Sequence, residues 1–143
     1  MSIGSKAFAL CLSMLASTAA PQPYAPRLYE TTVENGLPHL EENLRYATIR
    51  STMCLGRQQL ATAFPILRHE ALKGCRLDQE RQSDDSIVFA LHCEAGSSTS
   101  GAALWQLDER GIRGTLDVKL GGKNMPFYQR VSGRAIGACT PTD

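Results

Sequence analysis

Nucleophiles, bases and metal ligands are few in this 143-residue chain, so their spacing decides what chemistry they could do. Cysteines stand at positions 11, 54, 75, 93 and 139, and histidines at 39, 69 and 92. The four later cysteines form an even set, which reads as two disulfides in an oxidising compartment. Zinc would use the same thiolates, but no CxxC spacing occurs, and His92, adjacent to Cys93, would point to the other face of a strand. No metal site is expected. His69 beside Glu70 could form a proton-transfer pair on a helix, although a solvated helix face calls for the same residues. The carboxylate pairs Glu41-Glu42, Asp84-Asp85 and Asp108-Glu109 could serve as glycosidase acids or calcium ligands, yet all three fall where turns are expected, and turns favour such residues for their local hydrogen bonds.

The chain has no GxSxG and no HExxH motif, and Gly121-Gly122-Lys123 lacks both the preceding glycine and the following Ser or Thr of a phosphate-binding loop. Those glycines read as a hairpin turn. Trp105 is the single tryptophan, and with Phe127 or Tyr128 it could line a ligand cavity; packing of a core makes the same demand on it. The expectation is therefore no catalytic set and no cofactor, with Trp105, Phe127 and Tyr128 as candidate ligand-facing residues.

The elements that would position these groups begin behind a leader. A weakly basic start with Lys6, an apolar stretch over residues 7–15 and small residues over 16–20 predict a signal peptide of residues 1–19, cut after Ala19. Cys11 is then discarded, because Leu10 before it does not suit a lipid-attachment box. The apolar stretch is shorter than the roughly 20 residues a spanning helix needs, and no later segment approaches that length. The 124 residues left suffice for one domain. Whole-chain charge is 15 Lys plus Arg against 14 Asp plus Glu, and loss of Lys6 balances it. With no basic run, nucleic acid and anionic membrane are not expected as partners.

Residues 20–27, rich in proline, predict an extended arm, and residues 28–143 a single disulfide-stapled β-rich domain. Residues 28–34 and 43–54 are strand-like, separated by Asn35-Gly36 and a polar loop containing Pro38 and His39. Residues 57–73 alone carry helical spacing, through Leu60, Ala61, Phe64, Leu67, Ala71 and Leu72. Pro65 interrupts the pattern, which predicts one kinked helix or two short ones ending at Gly74. Residues 75–81 and 87–93 flank a polar turn. Centred on Asp84, that hairpin sets Cys75 opposite Cys93, near enough to bridge, and leaves Cys54 for Cys139. Residues 99–107, 114–120 and 127–138 complete the strands, and Leu116, Val118 and Leu120 alternate with Thr115, Asp117 and Lys119 as a half-buried strand requires. The fold class is α+β, mostly β: a curved antiparallel sheet of about seven strands, a half-open barrel, with one kinked helical insertion after the second strand.

Four pieces of this order form a recognisable set: Pro26-Arg27-Leu28-Tyr29-Glu30-Thr31-Thr32, then Met53-Cys54-Leu55, then single cysteines at 75 and 93, and the ending Val131-Ser132-Gly133-Arg134-Ala135-Ile136-Gly137-Ala138-Cys139. Together they resemble the bacterial envelope family known as domain of unknown function 3617. Arg27 and Tyr29 stand where that family usually has glycine and tryptophan, and Leu55-Gly56-Arg57 replaces its Thr-Pro helix start. The resemblance implies a periplasmic location in a Gram-negative bacterium and cysteines paired as disulfides, with no reaction to transfer. The function expected on these grounds is that of a non-enzymatic periplasmic domain, using the concave face of its sheet to bind a small apolar molecule or an envelope protein. An envelope hydrolase or isomerase using His69 or His92 with a nearby acid, and a structural accessory subunit of a periplasmic complex, are the alternatives.

Overall fold

The computed structural model describes residues 25–36, 47–122 and 125–139. The expected signal peptide, most of the expected arm, His39 and the Glu41-Glu42 pair lie outside the described residues. Seven strands form one antiparallel sheet: β1 (Arg27–Gly36), β2 (Ala47–Leu55), β3 (Arg76–Gln82), β4 (Ser86–His92), β5 (Ser100–Leu107), β6 (Gly111–Leu120) and β7 (Met125–Ala138). Their order across the sheet is β2-β1-β7-β6-β5-β4-β3. The sheet does not close into a barrel, because β2 and β3 are its two edges and do not pair.

Each strand follows from alternation. In β6, Ile112, Gly114, Leu116 and Val118 are buried while Arg113, Asp117 and Lys119 are exposed, the pattern of a strand with one face on a core and one in water. In β4, Ile87, Phe89 and Leu91 do the same. The β3–β4 hairpin keeps the register expected from its turn over Arg76↔His92, Leu77↔Leu91, Asp78↔Ala90 and Gln79↔Phe89, and then slips by one residue at a bulge before Arg81↔Val88.

Both disulfides join the pairs anticipated from the strands. Cys75–Cys93 sits one position outside the Arg76↔His92 rung, and Cys54–Cys139 bonds across a separation of 85 residues with a Cα–Cα distance of 5.6 Å. Cys54 is on β2, and Cys139 follows the last rung of β7, where Ala138 pairs Arg27. β1 lies between them but ends at Arg27, because Pro26 has no N–H to continue the ladder. The chain after β7 can therefore cross over the start of β1 and reach Cys54.

A kinked helix over residues 57–73 is not what forms. The crossover from β2 to β3 consists of three 3-10 turns, Arg57–Thr62, Pro65–Arg68 and Glu70–Leu72. Phe64, immediately before Pro65, is pushed into the extended region at φ −86°, ψ 110°, and His69 is extended at φ −72°, ψ 144°. Gly56 begins the first turn with its N–H donated to the Gln59 side chain at 2.9 Å. The crossover must also travel from one sheet edge to the other, and 3-10 backbone rises about 2.0 Å per residue against 1.5 Å for an α-helix. The first turn touches both β2 and β3. Six strand spacings would hold the edges of a flat sheet about 29 Å apart, and a six-residue 3-10 turn is only about 12 Å long, so the sheet bends around the crossover.

Candidate functional site

The face toward which the sheet bends is filled by the crossover's own side chains. Leu60, Phe64 and Leu72 are fully buried there with Trp105 of β5, and the Phe64 and Trp105 ring centroids lie 4.9 Å apart. Trp105 donates its indole Nε1–H to the Leu60 carbonyl at 3.1 Å, tying β5 to the first 3-10 turn. Its ring covers Gly114, its cross-strand partner on β6. Gln129 of β7, 2% exposed, makes the matching polar anchor: its Oε1 accepts the Ile66 N–H at 3.1 Å and its Nε2 donates to Asn35 Oδ1 at 2.6 Å. Of the three aromatic residues singled out from sequence, Trp105 and Phe127 belong to the inner, packed set. Tyr128 is on the opposite face of β7, covering Gly36 of β1 with the Arg130 guanidinium 4.4 Å from its ring centre. The structure brings Trp105 and Phe127 to one face and leaves Tyr128 on the other.

The two described histidines stand apart from each other. His69 Nδ1 accepts the Ala71 N–H at 3.1 Å and so caps the third 3-10 turn, while Glu70 turns to Lys73 at 3.4 Å. His92 Nε2 lies 4.0 Å from Asp78 Oδ2, on a rung beside β3 where Asp78 also meets Arg76 Nε at 3.2 Å. His69 is exposed, and the side chains of Glu70, Lys73, Arg76, Asp78 and His92 are about half exposed or more. The two described carboxylate pairs, Asp84-Asp85 and Asp108-Glu109, occupy turns as expected. Asp85 accepts from Ser83 Oγ in the β3–β4 turn, and Asp108 Oδ1 accepts the N–H groups of Arg110 at 2.7 Å and Gly111 at 2.9 Å in the β5–β6 turn. Those two backbone bonds hold the Asp108 carboxyl below the usual aspartate range. Among the described residues no three of His, Cys, Asp and Glu gather as metal ligands.

Two surfaces remain as candidates for binding. One is a cleft of about 330 Å³ at the end of the sheet where β1 begins, floored by Tyr29, Leu60, Leu107 and Ile112, with Arg57 and Asp108 at its rim. Burial pushes the Tyr29 phenol upward in pKa, so it is neutral at physiological pH.

The other surface is the outer edge of β2. A sheet edge presents a row of backbone N–H and C=O groups, and proteins usually blunt it with charges, bulges or proline. The β3 edge is blunted in this way: it carries Arg76, Asp78, Glu80 and Arg81, a bulge and a disulfide at its start. The nine residues of β2, Ala-Thr-Ile-Arg-Ser-Thr-Met-Cys-Leu, hold one charge, Arg50, and no bulge in their pairing with β1. Thr48, Ile49, Arg50, Ser51 and Thr52 are all exposed, and among the described residues Ile49 is the most exposed large apolar side chain at 57%. None of the residues with catalytic or ligand-facing promise in the sequence marks this edge. Its signal lies in composition, a β-branched run with a single charge, but only the strand order reveals that the run is an edge.

No protein-family model, no curated protein and no solved structure matches this chain. Among the described residues no helix is long and apolar enough to cross a membrane. Two disulfides are consistent with an oxidising, extracytoplasmic setting.

Proposed function

We propose that this chain is a non-enzymatic envelope protein, exported to the periplasm of a Gram-negative bacterium, that holds another envelope protein by adding one of that partner's extended segments to the outer edge of β2 over residues 49–52. The sheet is then read as a half-open barrel plugged by its own crossover, and membership of the domain of unknown function 3617 family belongs to the same reading. The observation that carries it is the asymmetry of the edges: β3 is charged and bulged, whereas β2 is a regular strand with one charge and, at Ile49, an exposed isoleucine. Strand addition takes affinity from backbone hydrogen bonds and specificity from alternate side chains, and Ile49 supplies an apolar contact between the exposed Thr48 and Arg50. The filled interior supports a protein partner over a small molecule on the concave face, because Trp105 and Phe64 already occupy that space.

A small apolar molecule is the second reading, favoured by the cleft over Tyr29, Leu60, Leu107 and Ile112. A hydrolase or isomerase has less support, since His69 is engaged with backbone and His92 sits on the open surface. Native mass spectrometry of protein purified from the envelope separates these. Wild type should carry a protein partner that the Ile49→Lys variant loses, since an edge lysine opposes strand addition. A bound small molecule with no protein, retained by Ile49→Lys, would overturn the edge reading in favour of the cleft.

A further inference from the structure

The outer face of the sheet assembles a group of arginines that are far apart in sequence. Arg50 on β2, Thr32 on β1, Ser132 on β7 and Arg113 on β6 lie on one continuous rung. Arg134 stands two residues further along β7, and Arg110 projects from the β5–β6 turn. These residues line a cleft of about 570 Å³ together with Glu30 and Asp108. Both carboxylates are already engaged. Glu30 Oε2 accepts from Arg134 Nη2 at 2.8 Å, and Asp108 Oδ1 accepts two N–H groups of its own turn. Four guanidinium groups against two carboxylates leave the cleft with a net charge of about +2, in a chain whose total is only +1.

Three strand spacings set the Arg50 and Arg113 backbones about 14 Å apart, a gap that two extended arginines leaning inward can close over the hydroxyls of Thr32 and Ser132. A planar carboxylate is satisfied by a single guanidinium fork. Donors arriving from opposite sides, with hydroxyls beneath, suit an anion whose oxygens point in several directions. We infer that this trough binds a phosphate group, with Arg50 and Arg113 gripping it from the two sides and Thr32 and Ser132 donating from the floor. The phosphate could belong to a phospholipid headgroup or to a soluble phosphate ester. The inference does not rest on strand addition at β2.

The test uses the full mature protein with two probes, inorganic phosphate followed by the arginine Nε–H resonances, and phosphatidylglycerol vesicles followed by co-sedimentation against phosphatidylcholine vesicles. The Arg50 and Arg113 resonances should move on phosphate titration, and the Arg50→Gln and Arg113→Gln variants should each weaken binding about tenfold or more, the cost of one charge-assisted hydrogen-bonding partner. Arg113→Lys, which keeps the charge without the planar fork, should fall between wild type and Arg113→Gln. Arg81→Gln on the distant β3 edge should bind as wild type. All these side chains are exposed, so melting temperatures should stay unchanged and report that the fold is intact. Vesicle binding lost in the Arg50→Gln and Arg113→Gln variants assigns the headgroup; phosphate binding alone, lost in the same variants, assigns a soluble ester. Absence of binding to both probes, or equal weakening by Arg81→Gln, would overturn the site. Loss of a protein partner in Ile49→Lys leaves this result untouched.

Discussion

Replacing Gly114 by alanine tests how the crossover is locked to the sheet. A Cβ at this position would lie 2.7 Å from three carbons of the Trp105 ring, against the roughly 3.5 to 4.0 Å of an ordinary carbon contact. The indole would have to retreat by about 1 Å. It cannot do so freely, because Phe64 packs against it at 4.9 Å and its Nε1–H is held by the Leu60 carbonyl at 3.1 Å. Overpacking of a core costs about 1 to 3 kcal/mol and a weakened hydrogen bond about 1 more. The alanine restores about 0.4 to 1 kcal/mol by restricting the unfolded chain. The net expectation is a loss of about 1 to 3 kcal/mol, read from urea unfolding followed by far-UV circular dichroism. In a Trp105→Leu background the steric conflict disappears, and the same Gly114→Ala change should be neutral or stabilising. A double-mutant cycle should therefore show coupling on the order of 2 kcal/mol between the two positions. Equal effects of Gly114→Ala in both backgrounds would refute the argument that the indole needs this glycine.

Other expectations follow from the same contacts. Gln129→Leu leaves the Ile66 N–H and Asn35 Oδ1 without their buried partner, and should cost about 2 to 4 kcal/mol in urea unfolding. Loss of a disulfide should scale with the loop it closes: about 4.6 kcal/mol for Cys54→Ala/Cys139→Ala across 85 residues, and about 3.2 kcal/mol for Cys75→Ala/Cys93→Ala across 18, so the first variant should unfold at the lower urea concentration. Asp108 has its carboxyl pKa lowered by its turn, and Glu30 has its own lowered by Arg134. Groups whose folded pKa is depressed contribute stability above their unfolded values, about 3.9 and 4.3, and that contribution is lost as pH falls through the folded values. Stability should thus drop below about pH 4, and Asp108→Asn should flatten part of that drop in a series of melting curves.

Much of the sheet is legible in the chain because its signals are local. The polar turn at Ser83-Asp84-Asp85 places Cys75 against Cys93, and the alternation of Leu116, Val118 and Leu120 assigns the inner face of β6 without any tertiary information. The place of the helical crossover after β2 is legible too, but not its form, three 3-10 turns, for an equally physical reason. Leu60, Phe64, Leu67 and Leu72 have helical spacing, but Pro65 forces Phe64 to extend, Gln129 from β7 takes the Ile66 N–H, and the segment has to reach both sheet edges. None of those last demands is written in residues 57–73. The candidate sites are legible only in part. Trp105 is easily singled out, yet its role depends on a crossover that fills the space around it. Positions 50, 110, 113 and 134 form no basic run, so the arginine trough exists only once four strands lie side by side.

Site-specific photo-crosslinking in living cells tests strand addition at β2 most directly. A photoreactive residue at position 49 or 51 should yield one discrete protein adduct, suppressed by Arg or Lys substitution at the neighbouring exposed β2 positions, while the same residue at position 80 on the charged β3 edge yields none. Adducts from position 80 alone, or none from β2, would contradict the account.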